Sequence, residues 1–232
     1  MNIGGVDGAN GAGGAVTIDA SASSSRISTL GYQAPGLLAQ SVGGGGGVST
    51  VEQPLSLWSA FTTTTSLGAT GRQGPDTASL GGQVSVIHGG VLTTQAGGSP
   101  GIMAQSVGGG GGLSTLSLRN TSLATIAQRA SVAISLGGNF DWSAPSAFNS
   151  VRTSAGTVSV ANNTGRIVTQ GGMSPGVFAQ SVGGGGGAAI ITTTASLGGI
   201  DIQLGNLRND TVAPFSTPVS YTHLTLPTIL LV

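Results

Sequence analysis

Short alternating runs of apolar and polar residues recur along the chain. Val16-Thr17-Ile18 is followed by Arg26-Ile27-Ser28-Thr29, Val84-Ser85-Val86 by Val91-Leu92-Thr93-Thr94, and Val158-Ser159-Val160 by Arg166-Ile167-Val168-Thr169. A period of two in β-branched residues predicts short strands that turn one face to a core. Residues 21–25, His88-Gly89-Gly90 and Asn162-Asn163-Thr164-Gly165 separate the two members of each pair. Gly and Asn tolerate the left-handed backbone that such corners need. No segment is convincingly helical: residues 122–133 hold Ala and Leu, but their Thr, Ser and Val suit a strand equally well.

A near-identical segment follows each pair. Residues 35–47, 100–112 and 175–187 each read Pro-Gly, two apolar residues, Ala-Gln-Ser-Val and five Gly. The spacing is 101 − 36 = 65 residues, then 176 − 101 = 75. Ser-Leu-Gly echoes at Ser66, Ser79, Ser135 and Ser196 with varying offsets, which places insertions between the repeats. Such self-similarity predicts units that bury their apolar edge only against neighbours. The expected fold is all-β, a parallel β-solenoid (a right-handed β-helix) with Gly-rich loops. With roughly 20–25 residues per coil, each repeat would hold about three coils.

Identical strings imply identical surroundings, so the Ala-Gln-Ser-Val segments should be strands in equivalent positions of the coil. Ala39, Ala104 and Ala179 are expected inside, where the coil is narrow. Alternation then sends Gln40, Gln105 and Gln180 outward, Ser41, Ser106 and Ser181 inward, and Val42, Val107 and Val182 outward. An exposed Val with a buried Ser reverses their preferences, so a bend after Gln is expected to return Val to the core. The repeated Gln could bind a ligand, but stacking into a hydrogen-bonded ladder is the favoured expectation.

Composition narrows the picture. Of 232 residues, 43 are Gly, which on its own suggests disorder. Disordered chains, however, are charged and poor in β-branched residues, whereas this one is 38% hydrophobic and 6% charged. Aromatics make up 4%, so the core must be built from small aliphatics, as in a solenoid. Net charge is zero and there is no Lys, so nothing draws this surface to nucleic acid. The chain has no Cys, which suits passage through an oxidising periplasm. No stretch approaches the length of a membrane helix, and the N-terminus lacks the features of a signal peptide.

With their upstream strands, the Ala-Gln-Ser-Val-Gly5 segments resemble the glycine-rich repeat passengers of bacterial autotransporters, over roughly residues 4–217. In that family such arrays precede a C-terminal outer-membrane β-barrel, through which the passenger exports itself. The barrel's run of about ten alternating residues per strand is absent here, so the chain is expected to be part of a passenger. The resemblance implies a cell-surface or outer-membrane location and a structural stalk or surface-display role. Its partners would be the missing barrel and possible cell-surface ligands. An adhesin module binding host or neighbouring cells, or a disordered Gly-rich cell-wall protein, are the alternatives. The passenger is expected over residues 1–217, with repeats at about 6–50, 78–118 and 154–191. Residues 218–232 belong to no repeat and resemble a translated sequencing adapter: codons of a common transposon-based adapter read Val219 through Thr228 without mismatch. Tyr221 and His223 then carry no function.

Several motifs suggest chemistry and fail on its requirements. Residues 97–101 and 172–176 match G-x-S-x-G, with Ser99 or Ser174 as nucleophile. The residue after that Ser must donate a backbone N–H to the oxyanion, and here it is Pro100 or Pro175, which has none. The first repeat carries Ala34 instead. The five-Gly runs lack the Lys of a phosphate loop and are expected to form tight corners. His88 is the one His outside the tail; a triad with Asp76 is disfavoured, and a zinc site lacks ligands. Residues 4–11, with Asp7 and Asn10, resemble a calcium β-roll only faintly. The sequence therefore predicts no enzyme, no catalytic, cofactor-binding or metal residues, and no cofactor.

Overall fold

The structure, a computed structural model, describes residues 2–3, 11–55, 61–68, 70–72, 79–120, 130–136, 139–141, 154–193, 197–204 and 207–208. Among them are nineteen strands and no helix. The first coil holds β2 (Val16–Ala20), β3 (Arg26–Thr29), β4 (Leu37–Val42), β5 (Gly46–Leu55), β6 (Phe61–Leu67) and β7 (Thr70–Arg72). The second holds β8 (Val84–His88), β9 (Val91–Thr94), β10 (Ile102–Val107), β11 (Gly111–Asn120), β12 (Ala130–Leu136) and β13 (Asn139–Asp141). The third holds β14 (Val158–Asn162), β15 (Arg166–Thr169), β16 (Val177–Val182), β17 (Gly186–Thr193), β18 (Leu197–Leu204) and β19 (Leu207–Arg208). β1 (Asn2–Ile3) lies on β6, where a preceding coil would place its fifth strand.

Each strand of the second coil pairs in parallel with its counterparts in the first and third, which makes six stacked sheets. The fold is a parallel β-solenoid. One repeat is one coil of six strands, not the three coils expected from common solenoid periods. A coil of six short strands and six corners consumes a whole 65- or 75-residue repeat, as the register shows: 102 − 37 = 65 and 177 − 102 = 75.

Corner lengths divide the coil into a constant and a variable part. The third strand follows the second after the same interval in all three coils: 37 − 29, 102 − 94 and 177 − 169 each equal 8. The glycine corner is also constant: 46 − 42, 111 − 107 and 186 − 182 each equal 4. From the fourth strand to the fifth the interval changes, from 61 − 55 = 6 in the first coil to 130 − 120 = 10 in the second. This explains the wandering Ser-Leu-Gly echo. Ser66-Leu67 and Ser135-Leu136 share a register, and Gln203-Leu204 continues it. Ser79 precedes β8 instead, Leu197 lies opposite Ala130, and Ser196 is outside the described residues.

One core cluster lies inside the first three sheets, and Leu67, Leu113, Leu116, Ile134 and Leu136 are buried on the fourth and fifth. Ala39, Val84, Val86, Leu92, Ile102 and Ala104 form the cluster's buried centre, packed against Val16, Ile18, Ile27, Leu37, Val158, Val160 and Ile167. These are apolar positions of the alternating runs and of the Ala-Gln-Ser-Val segments, and burying each Val, Leu or Ile among them contributes about 1.5–3 kcal/mol. Burial depends on rank in the stack. All six residues of β10 are buried, whereas β16, with no strand on its outer side among the described residues, alternates exposed and half-buried. Ala179 is exposed for this reason, while Ala39 and Ala104 are inside as expected.

The expected bend after Gln is absent. The three strands run unbroken from the residue before Leu38, Met103 and Phe178 through Val42, Val107 and Val182. Ser41 and Ser106 do face inward and are buried. Val107 is buried without a bend, because the middle strand is covered on both faces. Val42 and Val182, in the outer coils, are half-buried.

Candidate functional site

Three constellations hold the residues to which the sequence draws attention. The first is the glutamine row. Gln40 Nε2 donates to Gln105 Oε1 at 2.6 Å, and Gln105 Nε2 donates to Gln180 Oε1 at 2.8 Å. Gln105 is fully buried. The row is therefore a ladder along the axis, as expected, and its middle amide is spent on its two neighbours.

The second is the Pro-Gly corner. Ser99 Oγ accepts from Ala34 N–H at 3.1 Å and donates to Gly31 O at 3.0 Å, both in the first coil. Ser174 Oγ repeats the arrangement one coil on, accepting from Ser99 N–H at 3.0 Å and donating to Ala96 O at 3.2 Å. The hydroxyls of the G-x-S-x-G matches thus tie one coil to the next, and Ser99 is fully buried. The residue before each Ser-like position takes a left-handed backbone: Gln33 at φ 56°, Gly98 at φ 67° and Met173 at φ 54°.

The third surrounds His88, which points inward from β8 and is fully buried. Its Nδ1 lies 2.8 Å from Asn162 Oδ1, and Asn162 Nδ2 donates to Gly165 O at 2.9 Å. With the amide oriented this way, Nδ1 carries the ring hydrogen. Nε2 is buried without a partner. A catalytic base would present a carboxylate to one nitrogen and a nucleophile to the other; here one faces an amide and the other has no hydrogen-bond partner among the described residues. Asp76 lies outside the described residues, as do residues 4–10 of the weak calcium match. Among the described residues no group of three His, Cys, Asp or Glu is placed to hold a metal ion. No helix of the described residues is long and apolar enough to cross a membrane, which says nothing of a β-barrel.

The glycine runs are corners, as expected. In each, four successive residues take positive φ, from 80° to 141° in Gly44, Gly45, Gly46 and Gly47. The third of these shows why only Gly fits: a Cβ at Gly46 would fall on Gly111 O, and one at Gly111 on Gly186 O.

A further set was missed by sequence reasoning. Ser41 Oγ donates to Gly14 O and accepts from Gly82 N–H of the next coil, both at 2.8 Å. Ser106 Oγ donates to Gly82 O at 2.8 Å and accepts from Gly156 N–H at 2.9 Å. Ser181 Oγ donates to Gly156 O at 2.9 Å. The signal was present: an invariant Ser on an inward strand position needs a polar partner. That partner lies about 25 residues upstream, in a Gly-rich approach to the coil that no local pattern links to it.

Electrostatics are sparse. Asp19, fully exposed near the end of β2, has its carboxyl held below the usual carboxylate range. The Ser21 side chain contributes most, and Ser21 N–H, donating to Oδ1 at 3.0 Å, adds to it.

Stacked coils, an amide ladder and hydroxyl ties define a repeat protein of the parallel β-solenoid class. No protein family matches the chain, and neither a curated protein nor a solved structure does.

Proposed function

We propose that this chain is a surface-display segment of an autotransporter-like passenger, exported to the cell surface through a β-barrel partner. The sequence resemblance supplies the family and location. The observation that supports display in particular is the division of each coil into constant corners and corners of changing length. Parallel strands lie about 4.7–4.9 Å apart, so each coil of roughly seventy residues advances the axis by that distance only. Such a column gains little height per residue and much perimeter. It suits a platform that carries insertions at its variable corners better than a long, thin stalk.

Adhesion is the second reading, and a flat face of exposed hydroxyls along the stack would favour it. Thr62 and Thr64 are exposed on β6. Thr64, however, shares its row with Ala133 and Asp201. That row does not continue across the stack; Thr17, Ser85 and Ser159 do form a hydroxyl row through all three coils, but the next outward row is Asp19, Ile87 and Ala161, so the face is one side chain wide and display remains the better supported role.

An epitope tag inserted within residues 73–78, between β7 and β8, tests the reading in the native cell. Labelling by antibody on intact cells is expected. Labelling only after lysis would overturn the surface assignment.

A further inference from the structure

The second sheet keeps one face open to solvent even in the middle coil. Residues 102–117 of that coil are buried throughout, but on β9 Val91 and Thr93 are half-buried, and Gln95, just past its end, is exposed. β9 has a paired strand on either side, so this opening does not depend on where the stack begins or ends. Three rows cross the face along the axis. Arg26, Val91 and Arg166 share the first, and Ser28, Thr93 and Val168 the second. Gln95 N–H donates to Thr29 O at 3.0 Å and Gln170 N–H to Thr94 O at 2.9 Å, which carries the register on to a third row of Leu30, Gln95 and Gln170.

The face carries charge of one sign only. Arg26 and Arg166 are exposed, neither guanidinium has a carboxylate partner among the described residues, and the three rows hold no Asp or Glu. Asp19 lies on the first sheet, where its carboxylate accepts from Ser21 N–H. Two strand spacings set the arginine backbones about 9.4–9.8 Å apart, with Val91 between them. Beyond them stand groups that both donate and accept: the Ser28 and Thr93 hydroxyls, then the Gln95 and Gln170 amides. The strip ends at Tyr32, which is 48% exposed. A Cβ on Gly97 would stand 3.7 Å from Cδ1 and Cε1 of its ring, so the glycine leaves the ring room across the corner of the second coil.

We propose that this face binds an acidic oligosaccharide, with its carboxylate or sulfate groups on Arg26 and Arg166 and its hydroxyls on the rows beyond. Guanidinium forks match such oxyanions. Hydroxyls and amides answer sugar hydroxyls in both senses, and the amphipathic Tyr32 ring suits a sugar's apolar C–H face. From the arginine row to the glutamine row the strip runs about 13 Å along the strands, room for a short oligosaccharide. Nucleic acid is the poorer fit, because its affinity grows with the number of phosphates neutralised and this face offers two cations. The inference goes beyond display: it concerns what the face holds, not where the chain is carried.

Calorimetric titration of the purified 232-residue chain tests this. The probes are trigalacturonate, a chondroitin sulfate tetrasaccharide, neutral maltotriose and single-stranded RNA; the first two separate carboxylate from sulfate. Binding of at least one acidic sugar is expected, weakening as salt is raised, with maltotriose unbound. Arg26→Gln and Arg166→Gln should each weaken it about two- to fivefold, and the double variant should lose the salt dependence. Tyr32→Ala should weaken binding at every salt concentration, whereas Thr17→Val, on the first sheet, should leave it unchanged. Circular dichroism checks that each variant keeps the wild-type spectrum. No binding of either acidic sugar, maltotriose bound as tightly as they are, RNA bound more tightly, or a folded double variant that binds like wild type would each overturn the proposal. All of these readouts are independent of surface labelling, so failure here leaves the display reading to its own test.

Discussion

Replacing Ser106 by Ala tests whether the inward hydroxyls hold the coils together. The substitution removes one oxygen from a fully buried side chain. It deprives Gly82 O of a donor and Gly156 N–H of an acceptor, so one change opens a contact within the second coil and another between the second and third. A polar group left without a partner costs about 1–3 kcal/mol when buried. Both glycines are only half-buried and regain some water, so the total for the pair is expected at about 1–3 kcal/mol rather than twice that. Against a folding free energy of roughly 5–15 kcal/mol this is a large fraction. Ser181→Ala is the internal control: the same residue in the same register, but exposed and making one of the two contacts. It should stay within about 0.5 kcal/mol of wild type. Urea unfolding followed by circular dichroism reads the difference, with the midpoint of Ser106→Ala falling by about 0.5–1 M. Equal midpoints for the two variants, or a Ser106→Ala midpoint unchanged from wild type, would refute the reasoning.

Other expectations are as direct. Gly111→Ala sets a Cβ on Gly186 O at a φ of 125°, and should lower stability by more than about 1–3 kcal/mol; an unchanged thermal midpoint would show that the corner relaxes freely. Asp19 should titrate below its ordinary value of 3.8, and Ser21→Gly should move it up by removing the hydroxyl; carboxyl NMR shifts against pH read both. Its folded value is depressed, so any stability it lends is present above the unfolded value and lost as pH falls through the folded one. Residues 218–232 should be missing when the locus is amplified from genomic DNA, and recovery of the same codons in one long read would defeat the adapter reading.

The alternating runs marked the strands closely: β3, β9 and β15 begin and end where the Arg26, Val91 and Arg166 runs do. The reason is local, since side-chain alternation and corner residues are both written within a few positions. The glutamine ladder was legible from repetition alone, because equal residues in equal registers meet in a stack. Coil size was not legible. Whether a 65-residue repeat closes once or three times depends on how sharply each corner turns, and the positive-φ residues Gln33 and Met173 sit at turns that no propensity assigns to them. Val107 is buried as expected, but the bend that was expected to bury it is absent, for a related reason. A strand covered on both faces has no outward side, and periodicity of two cannot report a second layer. Ser99 was set apart from nucleophiles in the sequence by its following Pro, but its ties to Ala34 and Gly31 cross 65 and 68 residues of chain and appear only once the coils are stacked.

That one repeat closes one coil also bears on how such a gene can change. The amino-acid strings Ala-Gln-Ser-Val and the glycine run recur in every coil, so a recombination that joins one copy to the next would delete or duplicate a whole coil. Loss of residues 37–101 would join Gly36 to Ile102, which already follows an equivalent glycine, and remove 101 − 36 = 65 residues without shifting any register. The shortened chain should fold as a two-coil stack with both glycine corners in place. Copy number becomes a dial on height that leaves cross-section untouched, whereas insertions at the variable corners alter the perimeter and leave height alone. Two genetic operations thus reach two orthogonal dimensions of the same column.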